Sequence, residues 1–417
     1  LAEEQILRHG EARRDRFFYG YAVVMAAFLI MVVTQGMLYS FGVFFKPLSA
    51  EFGWTRAVTS GAFSLSTILK GALYILTGRL NDRIGPRAVM TGCGLFLGLA
   101  YLLMSHTNAI WHLYLFYGVM VAVGMSGGFV PMLSTVSRWF VRRRGLMVGI
   151  VAAGSGLGTL IVPPLANWLI SSYDWRTSYA IMGAAALVII VVAAQFMKRD
   201  PSRTGRLPHE RKETSPATSE HEASGFLYAQ AVRTGQFRVL TVAAFALGLC
   251  HYIIMVHIVP HATDLGMSTA GAASILAAIG IANVAGKVLA GGAGDRLGSK
   301  KASVLCFALA SCSLVVLLLA DSLWAFYLFA GIFGFAVGGL LSLLALLVAD
   351  QFGLRSHGVI LGSVVFALDI GGAVGPTLAG YIFDVTGSYQ PAFLFCLGVS
   401  ITGLVVTALL RPPMEIS

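Results

Sequence analysis

The stretch 274-SILAAIGIANVAGKVLAGGAGDRLGSK-300 decides how the rest of the chain is read. It opens as a long apolar run, holds one lysine, Lys287, inside that run, and ends on the charged signature Gly291, Asp295, Arg296, Gly298, Lys300. The run predicts a membrane helix and the signature its exit. Lys287 precedes Asp295 by eight residues, so at about 1.5 Å of rise per residue it lies about 12 Å inside the boundary. That is close to the middle of a hydrocarbon layer about 30 Å thick. A cation at that depth is costly, so it is expected to face an internal cavity and to meet an anion there. Eight residues is a long reach for its stem to snorkel back to the interface.

The whole composition agrees with that helix. Of 417 residues 57% are hydrophobic and only 12% charged, against about 25% charged in soluble domains. This predicts an all-α polytopic membrane protein. The 48 glycines suit helices that approach closely in lipid. A net charge of +10 would suggest nucleic acid in a soluble protein; here the basic residues fall in loops between apolar runs, where they set topology and meet anionic lipid heads. The five cysteines (Cys93, Cys250, Cys306, Cys312, Cys396) sit in apolar stretches without ligand spacing. They predict neither a disulfide framework nor a metal site, and no cofactor is called for. The first apolar run is longer than a signal-peptide core, which predicts a retained helix rather than a cleaved leader.

Twelve apolar spans are expected, over residues 19–45, 55–78, 86–105, 110–137, 145–171, 176–197, 238–260, 269–293, 301–320, 324–349, 358–383 and 390–410. Residues 1–18 form a basic tail and 412–417 a short terminal one. Residues 198–237, rich in charge, Pro, Ser and Thr, read as a linker with a short amphipathic helix near Phe226–Val232. The linker separates bundles at 19–197 and 238–411. Of the 29 Lys and Arg, three (Lys46, Arg56, Arg176) fall on one side, two (Lys70, Lys287) within the bilayer, and the remainder on the other side. That bias predicts both termini and the linker on the cytoplasmic side.

An internal repeat supports two related halves. Gly78, Asp82, Arg83, Gly85, Arg87 follow the second span as Gly291, Asp295, Arg296, Gly298, Lys300 follow the eighth, both fitting G-x-x-x-D-R-x-G-x-[RK]. A carboxylate and an arginine at a helix end can latch a neighbouring helix terminus, and glycines can turn the chain. Gly154 and Gly158 in span five match Gly371 and Gly375 in span eleven, where Pro376 follows. These glycines predict close packing and the proline a bend. Two other motif fragments carry no chemistry. Gly124-Met125-Ser126-Gly127-Gly128 fits G-x-S-x-G but lies in an apolar span without triad partners, and reads as glycine packing. Gly286-Lys287-Val288 lacks the spacing and the hydroxyl of a phosphate loop. The cluster Arg142–Arg144 reads as an anchor to lipid heads.

These residues resemble the major facilitator superfamily and, within it, the monocarboxylate transporters and the related oxalate/formate antiporters. The narrower resemblance rests on Tyr19-Gly20-Tyr21-Ala22-Val23-Val24, on Arg138-Trp139-Phe140 with Arg142-Arg143-Arg144-Gly145-Leu146, on the run 149–158, and on Asp174-Trp175-Arg176. It implies twelve transmembrane helices in two pseudo-symmetric six-helix bundles and a central site open alternately to either side. In such carriers span eight holds an arginine that binds the substrate carboxylate, and Lys287 takes its place. Their aspartate four residues earlier is Asn283 here, and their lysine late in span one falls at about Tyr39. Helices two and eleven face each other in the superfamily, which makes Lys70 and Asp369 candidate partners, with Lys287 the other candidate partner of Asp369. A buried carboxylate beside a cation can take up and release a proton.

The expectation is a carrier and not an enzyme: a secondary transporter of a small organic anion of lactate or pyruvate type, moving with a proton. An anion exchanger is the alternative, and a membrane enzyme or sensor a remote one. Substrate contacts are expected from Lys287, Asn283, Tyr117, Tyr39 and His251, with Gln35, Ser66 and Tyr252 nearby. Proton coupling is expected from Asp369 and Lys70, and gating from Asp82, Arg83, Asp295 and Arg296. A monomer in a bacterial inner membrane, touching lipid but no nucleic acid, completes the picture.

Overall fold

A computed structural model describes residues 19–54, 56–140, 143–199 and 225–410. The tails at 1–18 and 411–417 and most of the linker therefore lie outside the described residues. Twelve long helices make up the described chain: α1 (Tyr19–Phe52), α2 (Arg56–Ile84), α3 (Pro86–Met104), α4 (Ile110–Trp139), α5 (Arg144–Ser172), α6 (Trp175–Phe196), α7 (Gly235–Asp264), α8 (Thr269–Leu297), α9 (Ser299–Leu318), α10 (Leu323–Phe352), α11 (His357–Thr386) and α12 (Gln390–Ala408). Eleven are long and apolar enough to cross a membrane. The remaining one, α2, has 29 residues with Lys70 near its centre and a charged last turn, which is why its apolar signal is weaker.

Each half repeats one packing scheme. α1 lies on α5 as α7 lies on α11, α2 on α4 as α8 on α10, and α3 on α6 as α9 on α12. Two contacts dominate the seam between the halves, α5 against α8 and α2 against α11. The paired glycines serve the first relationship: Gly154 and Gly158 press on α1 at Phe28 and Val32, and Gly371 and Gly375 on α7 at Phe245 and Leu249.

The charged repeat lies on the last turns of its helices rather than after the spans expected to end at 78 and 293. α2 continues through Asp82 and Arg83 to Ile84, and α8 through Asp295 and Arg296 to Leu297. The chain turns only at Gly85 and Gly298, with φ of 90° and 85°, a region that glycine enters without the Cβ penalty. The first glycine of each copy lets the two halves touch. A methyl on Gly78 would overlap the Gly358 carbonyl, and one on Gly291 the Gly145 carbonyl.

α4 departs from a regular helix twice. Leu113–Val121 forms a π-helical stretch, and the helix breaks between Ser126 and Val130. The break falls at Gly127–Gly128, ahead of Pro131 in the first turn of the next segment, so the Gly124–Gly128 run packs and also interrupts its helix. Gly128 meets Thr34 of α1 and Gly124 meets Leu97 of α3. At the end of the linker, Gly225 pairs with Gly353, Phe226 N–H donates to the Phe352 carbonyl at 3.0 Å, and Tyr228–Ala231 makes one helical turn. This end of the linker is thereby fixed to the junction of α10 and α11.

Candidate functional site

The seam is sealed at the end that carries the charged repeat. Asp295 of α8 accepts hydrogen bonds from Gly145 N–H at 2.6 Å and Leu146 N–H at 2.9 Å, the first turn of α5. Asp82 of α2 does the same for α11, accepting from Gly358 N–H at 3.2 Å and Val359 N–H at 3.1 Å. Unpaired N–H groups and the positive end of the helix dipole make a helix start a natural seat for a carboxylate. Arg138 donates at 2.7 Å to Asp82 Oδ1, the oxygen that also accepts from Gly358. The remaining residues of the repeat lie apart from these bonds: the Arg83 carbonyl accepts from Arg199 at 3.3 Å, and Arg296 is exposed.

Two further groups in this layer carry no signal in the sequence pattern. His357, fully buried at the start of α11, bonds Ser134 of α4 through Nδ1 at 3.0 Å and donates from Nε2 to the Ala345 carbonyl of α10 at 2.9 Å. Asp350, at the end of α10, lies 3.8 Å from Arg144 and accepts from Ser299 at 2.5 Å. Arg144 also donates to the Ser137 and Phe140 carbonyls. It is turned into the protein rather than toward lipid heads, unlike the anchor expected of Arg142–Arg144; Arg142 lies outside the described residues.

Deeper along the seam sit the two intramembrane lysines. Lys287 of α8 is 5% exposed, and its Nζ donates to Ser155 Oγ of α5 at 2.6 Å. Among the described residues no carboxylate pairs with it. Lys70 of α2 lies 4.0 Å from Asp369 Oδ2 of α11, longer than the about 2.7–2.9 Å of a charge-assisted hydrogen bond. Asp369 Oδ2 is enclosed without a hydrogen-bond partner, so the pair is loose. The Lys70 ammonium also stands 5.6 Å from the centre of the Tyr74 ring.

Around these charges the expected residues divide. Asn283 is buried one turn before Lys287 on α8. His251 of α7 lies within electrostatic reach of Lys287, with Nδ1 enclosed and unpartnered and its ring 5.2 Å from Tyr252. Tyr39 of α1 is held among Lys70, Asp369 and Tyr252 and yet is 42% exposed. Gly280, two turns before Lys287 on α8, is exposed, and a methyl there would meet nothing within 4 Å. Gln35 is half-buried, and Ser66 Oγ is enclosed without a partner. Tyr117 is not in this group: it is fully buried in the first half, its ring tilted against that of Phe41 with centroids 4.3 Å apart, and it donates to the Leu38 carbonyl at 3.4 Å.

At the opposite end, Asp174 caps α6 through Thr177 N–H at 2.8 Å, and Trp175 and Arg176 both donate to Glu51 at the end of α1. The Arg176 guanidinium holds Glu51 below the usual carboxylate range. The Thr177 backbone N–H does so for Asp174. No group of three or more metal-ligating side chains occurs among the described residues.

Comparison with known proteins agrees with this architecture. The chain matches the Major Facilitator Superfamily over residues 25–286 and 240–417. It is 30% identical to monocarboxylate transporter 13 of Rattus norvegicus over 381 residues, covering 90% of this chain and 85% of that one. Among solved structures, the proton:xylose symporter XylE superposes with a TM-score of 0.73 at 14% identity, covering 93% of this chain and 94% of that one. The human organic anion transporter MFSD10 superposes with a TM-score of 0.70 at 16% identity, covering 93% and 99%. At such identities the structural likeness speaks for the fold.

Proposed function

The chain belongs to the major facilitator superfamily, and from that premise we propose a secondary transporter that carries a small monocarboxylate, of lactate or pyruvate type, together with a proton. The observation that carries this reading is Lys287: a buried ammonium on the seam between the halves whose partner is the neutral Ser155 hydroxyl. A permanent structural lysine at such depth would be expected to face an acid. One that faces none suits an anion that arrives and leaves. Asn283, on the same face one turn away, His251 and Tyr39 supply the polar contacts. Tyr117 acts through α1, bonding the carbonyl of the residue before Tyr39. One cation and one monoanion leave no net charge on the loaded site, which disfavours dianions. The resemblance to monocarboxylate transporters supports the substrate class.

Asp369 and Lys70 provide the coupling. Their 4.0 Å separation lets Asp369 accept a proton without breaking a tight bond, and lets Lys70 turn to another acceptor while it is neutral. The sealed end carries the greater share of basic residues and faces the cytoplasm, so the conformation described is the one closed to the cytoplasm. Asp82 and Asp295 hold that closure, and the carrier works as a monomer in the lipid bilayer.

Uptake of labelled lactate into proteoliposomes, with and without an inward proton gradient, tests the reading. Gradient-driven accumulation is expected for the wild type, a large loss of affinity for Lys287→Ala, and retained binding without accumulation for Asp369→Asn. Unchanged affinity in Lys287→Ala would remove the carboxylate site. Counterflow indifferent to the proton gradient would replace symport with exchange.

A further inference from the structure

Lysine offers a carboxylate a single rotating point charge, whereas arginine offers two fixed parallel donors. The surroundings of Lys287 compensate for this difference. Its Nζ donates to Ser155 Oγ at 2.6 Å. The Ser155 hydroxyl in turn donates to the Ala152 carbonyl of its own helix at 2.8 Å. With its proton committed there, Ser155 can meet Lys287 only as an acceptor. The serine is also unable to withdraw, because α5 is pressed onto α8 on both sides of it. A methyl on Gly149 would overlap the Lys287 carbonyl, and one on Gly156 the Val284 side chain.

An ammonium has three N–H donors. Fixing one stops its rotation and gives the other two a set direction. Resting on the assignment of Lys287 as the carboxylate ligand, we propose that Ser155 is the positioning residue of that site: it pins one N–H of Lys287 across the seam so that the remaining two grip both oxygens of the substrate carboxylate. Preorganisation of this kind raises affinity by lowering the ordering cost of binding. Ser155 belongs to the first half and Lys287 to the second, so the grip is complete only while α5 and α8 are in contact as here. When the sealed end opens and the two helices part, the ammonium regains its rotation and the carboxylate is released.

The test is the concentration dependence of labelled lactate counterflow by the full chain in proteoliposomes. Ser155→Ala is expected to raise KM about 10- to 150-fold, the scale of a lost hydrogen bond to a charged group, with kcat changed less than about twofold. Ser155→Thr, which keeps the hydroxyl, should restore KM. In a Lys287→Arg background the guanidinium supplies its own fork, so adding Ser155→Ala should change KM less than about twofold. An unchanged or lowered KM in Ser155→Ala, failure of Ser155→Thr to restore it, or an equal loss in the arginine background would each overturn the proposal. If Lys287→Ala raises KM while Ser155→Ala does not, the carboxylate site stands and only the role of Ser155 falls. If Lys287→Ala leaves KM unchanged, both fall.

Discussion

The carboxylate of Asp295 caps α5 from the other half of the molecule, with the Gly145 N–H 2.6 Å from one oxygen and the Leu146 N–H 2.9 Å from the other. Asp82 repeats the arrangement on Gly358 and Val359 of α11. An acid at a helix start contributes about 0.3–1 kcal/mol when exposed and up to about 2 when partly buried. Asp295→Asn should therefore shift the population toward an open end by about 5- to 30-fold. Spin labels at the exposed positions Arg143 and Arg296, in a background free of native cysteine, would report this as a longer interlabel distance. An unaltered distribution would show that the cap does not hold the seal.

Closure depends on backbone contact at Gly145 as well. A methyl there would overlap the Gly291 carbonyl, whereas one at Gly280 would meet nothing within 4 Å. Overpacking at a tight contact costs about 1–3 kcal/mol. Gly145→Ala is expected to cut the transport rate by about tenfold or more with normal membrane insertion, and Gly280→Ala to leave it within about twofold. Initial uptake rates normalised to inserted protein check both.

Lys70 and Asp369 are buried together, so removing one leaves the other uncompensated, at about 3–5 kcal/mol. Asp369→Asn alone should lower the melting temperature in detergent. The double change Lys70→Gln with Asp369→Asn should recover most of it. Proton-driven accumulation should stay absent in both. Recovered stability together with recovered accumulation would make the pair purely structural.

Glu51 and Asp174, at the far end, are held below the usual carboxylate range, Glu51 mainly by its hydrogen bond from Arg176 and Asp174 mainly by that from Thr177 N–H. Carboxyl groups depressed in the folded state stabilise it fully above their unfolded pKa of about 4 and lose that contribution as the pH falls through the lower folded value. Both are largely exposed, so the effect is small. Melting curves from pH 6 to pH 3 should show a smaller acid-induced drop for Glu51→Gln than for wild type, with the difference confined to the region below about pH 4.

Much of this was legible in the sequence because membrane helices obey a strict rule. A run long and apolar enough to span must satisfy its own backbone, so twelve runs give twelve helices. The repeat around Asp82 and Asp295 was visible for the same reason, since charged residues in an apolar chain stand out. Its detailed placement was not legible, because only three-dimensional contact shows that Gly78 and Gly291 touch the other half while Gly85 and Gly298 turn the chain. Ser155, His357 and Asp350 escaped notice for a related reason. Each acts through a partner on a distant helix, and serine or histidine in a span carries no periodic signal. The π-helical stretch around Tyr117, which packs on α2 and α3, was not legible either, because local propensity does not encode it.

The reciprocal capping also bears on how the protein is assembled. Each half presents a helix start that its own fold leaves uncapped and an acid that reaches across to cap the other's, and the two sets interlock head to tail about the pseudo-symmetry axis. Two six-helix fragments made as separate polypeptides would thus bear matching recognition marks, able to select the proper mate and register without a covalent link between them.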